Sequence, residues 1–224
     1  VLFKFIMFET PNGEARYLQY GERTSNNLFT ILSTDSERAI AFSQYGDAYI
    51  DYNQQFELNE WIDVAVTYDE NNYIKIYQNG QIIVNEIINS GIATSSNSEL
   101  IIGENFIGLI DNVIIYDYAL NSDEINDIQN DNDNPLDYSG VKAYYKFNSG
   151  LLTEPVVYDH SGHLNHGTIV NNANFVYKIP IHTGQNLISF HSLPQDSSIG
   201  NVFSAADDLV QKVIGESEAA SLLP

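Results

Sequence analysis

Three histidines recur at every third position of the segment DHSGHLNHG: His160, His163 and His166. Imidazoles that converge can bind zinc, and on a helix this spacing would place the three rings on one face. The serine, asparagine and glycines between them favour a turn, in which the rings point in different directions. The sequence therefore predicts solvent-facing loop histidines, and a zinc site is the alternative.

Asp111 is a second candidate for chemistry. It stands at the beginning of an apolar run and is in phase with Val113 and Ile115, so an alternating strand would place it on the buried face. An unpaired buried charge is costly. We therefore predict that its carboxylate is either hydrogen-bonded at the rim of a sheet or bound to a cation.

The other acidic residues form no catalytic or calcium-loop pattern. Retaining glycanases place two carboxyl groups on one strand face about 5 Å apart, whereas Glu60 and Asp63 have the wrong spacing and no second glutamate follows. Asp131 and Asp133 have the first spacing of an EF-hand loop, but Pro135 takes the third ligand position. The sequence also lacks a nucleophile elbow and a phosphate-binding glycine loop. We expect no enzymatic activity and a solvated linker around residue 131.

The composition limits the classes of partner. The 30 acidic side chains outnumber the 9 basic ones and give a net charge of -21, which repels phosphate backbones and anionic lipids. We expect no nucleic-acid partner, and no membrane insertion because no apolar run approaches the ~20 residues of a membrane-spanning helix. The absence of cysteine excludes disulfides and cysteine-ligated zinc. The opening VLFKFIMFET lacks a signal-peptide layout, so we expect a piece of a longer protein.

Short runs of aromatic and β-branched residues, separated by Asn, Gly and Ser, predict an all-β sandwich. In WIDVAVTY, the apolar residues Ile62, Val64 and Val66 point to one side, as in a strand. The residues between them, Asp63, Ala65 and Thr67, point to the other side. In YIKIYQNGQIIV, the pair at 79–80 predicts a type I′ turn, because both central residues of that turn need positive φ. Further strands are predicted at FKFIMF, ARYLQY, LFTILST, AIAFSQ, AYIDYN, ELIIGE and GLIDNVIIYDYAL.

A helix and one more strand follow. Asn121 or Ser122 can cap a helix, and Pro135 bars its continuation. VKAYYKF is predicted as a half-buried strand with Val141, Ala143, Tyr145 and Phe147 inward and with Lys142, Tyr144 and Lys146 outward. Residues 199–213 carry apolar side chains near helical spacing.

Five ordered motifs lie between residues 61 and 128. They are W-x-x-V-A-x-T-Y-D at 61–69, I-Y-x-N-G at 76–80, L-I-I-G at 100–103, F-x-G-x-I-D-N-V-x-I-Y at 106–116 and A-L-x-x-D-E-I at 119–125. In this order they resemble the laminin G-like, or concanavalin A-like, family. The resemblance implies an all-β fold, a concanavalin A-like jelly-roll β-sandwich of two antiparallel sheets. After Ile179, a β-like stretch and then helical spacing predict a small partial C-terminal α+β module.

A further segment is similar to the family's first strand and loop. It comprises YYKFN at 144–148 and DHSGHLNHG at 159–167, and in the family it precedes the strands that open this chain. We expect a sandwich over 1–130 that lacks its usual first strands, an acidic linker over 131–140, the first-strand motif over 141–178 and a partial module over 179–224. The motif completes the sandwich in cis, starts a second copy, or joins a neighbouring molecule's sheet. We favour completion in cis, because an unpaired strand promotes aggregation.

The resemblance also implies calcium, which many members hold between the strand aspartate and the Asp-x-Ser-Gly loop. In this sequence the implied ligands are Asp111, Asp159, Asn165 and backbone carbonyls near Gly162 and His163. Such oxygen ligands suit calcium. The residues at 164 and 166 depart from the family pattern, and hydrogen bonds from loop amides to the aspartate are the alternative.

The implied function is a non-catalytic carbohydrate-binding or adhesion domain, supported by calcium. We expect a secreted or surface-displayed bacterial protein whose partner is an extracellular glycan or a surface protein. The alternative is a structural subunit or spacer that self-associates by strand exchange, and the third hypothesis is a glycanase-associated domain. Trp61 is interpreted as a core residue, and the candidates for stacking on sugars are Tyr17, Tyr20, Tyr45, Tyr49 and Tyr52.

Overall fold

The computed structural model describes most of the first 173 residues and two short segments near the C-terminal end. The described residues are 1–10, 12–21, 28–33, 38–44, 48–50, 55–88, 98–130, 134–147, 155–171, 173, 212–214 and 219–221. The chain divides into two compact units, Val1–Val176 and Tyr177–Pro224.

Strands dominate the described residues. They are β1 (Leu2–Met7), β2 (Ala15–Gly21), β3 (Leu28–Ser33), β4 (Ala41–Gln44), β5 (Ala48–Ile50), β6 (Ile62–Tyr68), β7 (Tyr73–Gln78), β8 (Gln81–Ile87), β9 (Leu100–Glu104), β10 (Gly108–Tyr116), β11 (Val141–Tyr145), β12 (Val156–Val157), β13 (Gly167–Thr168), β14 (Lys212–Ile214) and β15 (Ala219–Ser221). Helix α1 spans Ser122–Gln129, and a short 3-10 helix spans Pro135–Asp137.

The strands of the first unit form two antiparallel sheets. One has the order β11-β10-β1-β6-β7-β8 and the other the order β5-β4-β3-β2-β9. Aromatic side chains of both sheets meet between them: the rings of Phe5 in β1 and Tyr17 in β2 lie 4.4 Å apart by their centroids, and both side chains are buried. The predicted all-β sandwich is confirmed.

The second unit is described only at one hairpin, in which β14 pairs antiparallel with β15. The helix predicted over residues 199–213 lies outside the described residues except at its end, where residues 212–214 form a strand. The domain boundaries predicted from the sequence stay predictions.

Helix α1 packs on the outer face of the six-stranded sheet. Its N-terminus is closed by a capping box, in which Asn121 accepts from the backbone of Asp123 and Glu124 while the Glu124 carboxylate accepts from the Asn121 N–H. Ile125 and Ile128 are buried in a cluster with Leu2, Ala65, Tyr77, Ile114 and Tyr116. Full burial of such an isoleucine is worth roughly 1.5–3 kcal/mol. The six-stranded sheet is therefore covered on both faces beneath this helix.

The turn between β7 and β8 allows the helix to come close. Asn79 and Gly80 both have positive φ, at 50° and 76°, so the predicted type I′ turn is confirmed. A Cβ atom on Gly80 would lie 2.6 Å from Oδ1 of Asn126 in helix α1. Glycine at this position therefore serves both the turn and the contact with the helix.

A bulge in β10 changes the orientation of Asp111. Asn112 has a φ of +51°, and the pairing with β1 passes from Leu2↔Ile114 to Lys4↔Asp111. The extra residue in β10 breaks the alternation, so Asp111 lies beside Lys4 on the outer face while Val113 packs into the core. The prediction that Asp111 shares a face with Val113 is wrong because that prediction assumed an unbroken strand.

Strand β11 lies at the edge of the six-stranded sheet and pairs with β10 of the same chain. Ala143 and Tyr145 pack into the core between the sheets, as predicted. Tyr144 points outward, as predicted, and is 7% exposed because it packs in the cluster under helix α1. Val141 packs in the same outer cluster, so the prediction that it points inward is wrong. That prediction assumed an unbroken strand, whereas the pairing with β10 shifts by one residue between Val141 and Ala143.

A buried carboxylate lies at the centre of the loop that follows β11. Asp159 is 7% exposed, and its Oδ1 accepts from the backbone N–H groups of Tyr144 and Ser161, both at 2.9 Å. Its Oδ2 accepts from the Ser161 hydroxyl at 2.8 Å and from the Asn165 N–H at 3.0 Å. The loop is thereby closed around Asp159 by four hydrogen bonds.

This network predicts a pH-dependent stability. Burial raises the pKa of Asp159, but the hydrogen bonds from Ser161, Tyr144 and Asn165 outweigh burial and hold the pKa below its usual value of 3.8. A carboxyl group with a lowered folded pKa stabilises the fold above its unfolded pKa, and this stabilisation is lost as the pH falls through the folded pKa. We expect the free energy of unfolding, measured in urea, to fall as the pH drops below 3.8.

The substitution Asp159→Asn tests the assignment. The new amide would face two donors, so we expect a loss of about 1–3 kcal/mol at pH 7 and a flatter dependence on acid. Asp137→Asn, at an exposed aspartate of the 3-10 helix, is the control. A D159N protein with the wild-type acid dependence would contradict this role.

Candidate functional site

The residues predicted to bind calcium are engaged with protein groups. Each oxygen of the Asp159 carboxylate already accepts two hydrogen bonds. Asp111 Oδ2 lies 3.5 Å from Lys4 Nζ. The side-chain amide of Asn165 donates to the Lys142 carbonyl at 3.0 Å.

The remaining predicted ligands are backbone carbonyls near Gly162 and His163, in the same loop as Asp159. His163 Nε2 lies 3.1 Å from the Val141 carbonyl, and Gly162 adopts a φ of +89° in the turn. Within the described ranges, no three histidine, aspartate or glutamate side chains come together as a metal site. An ion at this place would compete with Lys4 for Asp111 and with the loop donors for Asp159. The calcium site stays a prediction.

The three loop histidines do not converge on a common point. His166 Nδ1 accepts from the Asp159 N–H at 3.0 Å, while His163 lies against Val141. The ring of His160 lies 6.3 Å from the ring of Tyr144 by their centroids. Each imidazole has its own neighbour, which is the splayed arrangement that the turn residues predicted.

Of the tyrosines predicted to stack on sugars, two have side chains that the structure describes. Tyr17 is buried in the core and only 1% exposed, so the prediction that it stacks on a sugar is wrong. Tyr20 is half-buried. Tyr45 and Tyr52 lie outside the described residues, as does the side chain of Tyr49.

Trp61 is the exposed aromatic residue that the sequence interpretation missed. It directly precedes β6 and is 40% exposed, so its assignment to the core is wrong. The signal was present in the alternation: Ile62 and Val64 face the core, whereas Trp61 is in phase with Asp63 on the other side of the strand. The outer face near Trp61 therefore displays an aromatic ring.

Charged side chains surround this ring. Lys4 lies opposite Asp63 of β6 and opposite Asp111 of β10. Its Nζ lies 5.5 Å from the centroid of the Trp61 ring, a distance at which a cation is attracted to the ring face. We call the four residues Lys4, Trp61, Asp63 and Asp111 the Trp61 face.

The apolar surface continues at the same end of the sheet. Phe8 and Ile107 are joined by a backbone hydrogen bond of 2.9 Å just beyond the β1–β10 pairing, and they are 40% and 42% exposed. Together with Trp61 they place three exposed apolar side chains at this end of the sheet. An aromatic ring with charged neighbours can hold a ligand that has an apolar face and a polar edge.

The described part of the chain has no helix with the length and apolar composition needed to span a membrane. No curated protein matches the sequence.

Known structures are similar to this chain at low sequence identity. A candidate carbohydrate-binding protein from Bacteroides ovatus aligns with 78% of this chain at 19% identity and a TM-score of 0.58, and the chain covers 55% of that protein. CBM40 of the Ruminococcus gnavus IT-sialidase, bound to α2,3-sialyllactose, aligns with 57% of this chain and over 79% of its own length, at 14% identity and a TM-score of 0.44.

Domain 4 of AbnA, a GH43 extracellular arabinanase from Geobacillus stearothermophilus, was solved in complex with arabinotriose. It aligns with 57% of this chain and over 64% of its own length, at 20% identity and a TM-score of 0.45. At these identities the likeness concerns the fold alone.

The sequence itself matches a family model. That model, described as the concanavalin A-like lectin/glucanases superfamily, covers residues 5–126, more than half of the chain. The match begins in β1 and ends within helix α1, so it includes strands of both sheets and three of the four residues of the Trp61 face, Trp61, Asp63 and Asp111. The chain therefore belongs to the concanavalin A-like lectin/glucanases superfamily.

Proposed function

We propose that the first unit is a non-catalytic carbohydrate-binding domain that holds a glycan on the Trp61 face. The observation that carries the proposal is the 40% exposed tryptophan on the outer face of a sheet, with two aspartates and a lysine as neighbours. The fold shared with the candidate carbohydrate-binding protein of Bacteroides ovatus supports it.

The chemistry of the Trp61 face suits a sugar ring. A sugar presents C–H groups on its faces, and these are attracted to the negatively polarised face of an indole. Its edge carries hydroxyl groups, which can donate to the carboxylates of Asp63 and Asp111 and accept from Lys4. These side chains stand on three hydrogen-bonded strands, so they are held in place before the ligand binds.

The setting that we propose is the outside of the cell, in a secreted or surface-displayed protein where the domain meets polymeric glycans. The acidic surface, with a net charge of -21, keeps such a domain soluble. Activities of any longer protein that contains this chain would lie with other domains.

A structural role is the second candidate. Strand β8 is the last strand of the six-stranded sheet, and Ile82 and Ile87 on it are 49% and 54% exposed. Such an edge can pair with a strand of another copy. Light scattering distinguishes the two candidates, because this role requires a stable oligomer in solution.

The substitution Trp61→Ala tests the carbohydrate-binding proposal. We expect affinity for glycans found on a broad array to fall at least about tenfold in calorimetry, because the stacking surface and its buried apolar area are lost. The melting temperature should change little, since the side chain is 40% exposed.

Tyr73→Ala is the matched control for this experiment. Tyr73 is 37% exposed and begins β7 at the opposite end of the sheet from Trp61. If wild-type protein binds no glycan, or if Y73A weakens binding as much as W61A, the proposal fails.

Calcium dependence is a separate test. Asp111 is paired with Lys4 and the oxygens of Asp159 are engaged, so we expect glycan affinity to be the same in calcium and in EDTA. Binding that disappears in EDTA and returns with calcium would instead support the calcium-dependent alternative. In that case Asp111→Asn and Asp159→Asn should each abolish the calcium response.

A further inference from the structure

A polar cavity lies beside the Trp61 face, where helix α1 meets the β7–β8 turn. Its volume is about 170 Å³. It is lined by Asp63, Asn79, Gly80, Asn126, Gln129 and Asn130. Its side-chain polar groups are thus one carboxylate and four carboxamides.

Some of these polar groups already have partners. The side-chain oxygen of Asn79 accepts from the Asp63 N–H at 2.9 Å, and the side-chain amide of Asn130 donates to the Asn126 carbonyl at 2.8 Å. Both contacts fix the walls of the cavity, because they tie side chains to backbone.

Gln129 differs from the other carboxamides. Its Nε2 and Oε1 are buried, and neither has a hydrogen-bond partner among the described residues. A buried amide without a partner destabilises the fold, and a leucine of similar size would avoid that cost. A ligand whose hydroxyl groups pair with this amide would remove that cost.

Asp63 joins the cavity to the Trp61 face. It lines the cavity, and it lies across from Lys4, whose ammonium group contacts the Trp61 ring. Residues 61 and 63 project from the same side of the chain, two strand positions or about 7 Å apart. A ligand longer than one ring can therefore reach both places.

We propose that this cavity is a second subsite of the glycan site and that it takes one neutral sugar ring, next to a ring stacked on Trp61. This inference rests on the proposed carbohydrate-binding function. The ligand is then a neutral oligosaccharide of at least two residues.

The chemistry of the lining selects this class of ligand. A carboxamide offers one acceptor and two donors, and a pair of neighbouring hydroxyl groups can satisfy both kinds. The carboxylate of Asp63 only accepts, so it binds hydroxyl groups and repels an acidic sugar, as does the net charge of -21. The cavity is smaller than the ~300 Å³ at which pockets for drug-sized ligands begin, which suits a single ring.

The test is calorimetry of Gln129→Leu against neutral di- and trisaccharides (lactose, cellotriose, xylotriose, arabinotriose and mannotriose) and against the acidic sialyllactose. We expect wild-type protein to bind at least one neutral sugar and to bind sialyllactose more weakly than lactose. In Q129L the affinity for the neutral ligand should fall about tenfold, because hydrogen bonds to the carboxamide are lost. The melting temperature of Q129L should be equal to or above that of wild type.

Two further variants keep the outcome clear. Asn126→Ala removes a second lining side chain and should also weaken binding. It tests the subsite even if Q129L fails to fold. Gln55→Leu is the control, because Gln55 is exposed, contacts Arg38 and is not among the residues that line the cavity or form the Trp61 face.

The outcomes separate the two proposals. Wild-type protein that binds none of the sugars overturns the carbohydrate-binding function and this subsite with it. Wild-type binding that Trp61→Ala abolishes but that Q129L and N126A leave unchanged overturns the subsite alone. Tighter binding of sialyllactose than of lactose overturns the neutral class of ligand.

Discussion

The partial cover that helix α1 gives to the six-stranded sheet determines where this domain can recognise a partner. Under the helix, Ala65 is small enough for Ile125 to pack on the sheet, and both residues are buried. Beyond the helix the same face carries Lys4 and Trp61 instead. If the helix covered the whole face, no binding surface would remain there. If the helix were absent, the leucine, isoleucine and tyrosine side chains that pack under it would be exposed.

Local signals in the sequence predicted most of the fold. The pair Asn79-Gly80 predicted the turn, because few residues adopt positive φ. Asn121 predicted the start of the helix, because its side chain satisfies free backbone donors. These features depend on neighbours in sequence, which is why they could be predicted without knowledge of the tertiary structure.

The candidate site was harder to predict because it depends on contacts between distant residues. The orientation of Asp111 depends on one extra residue in a strand paired to β1. The exposure of Trp61 depends on where helix α1, about sixty residues later, packs on the sheet. The burial of Tyr144 depends on the cluster under the same helix. The cavity depends on the approach of Asn126 to Gly80. A stricter application of alternation would still have placed Trp61 on the outer face.

The bulge at Asn112 has a consequence for how such domains can diverge. The extra residue lets Ile114 stay opposite Leu2 while Asp111 stays opposite Lys4. If the same residues formed an unbroken strand, the register before Asn112 would slip by one position and turn the carboxylate of Asp111 into the sandwich, where a cation or a buried donor must neutralise it. The local backbone at one residue thus separates a domain that uses this aspartate internally from one that displays it to a ligand.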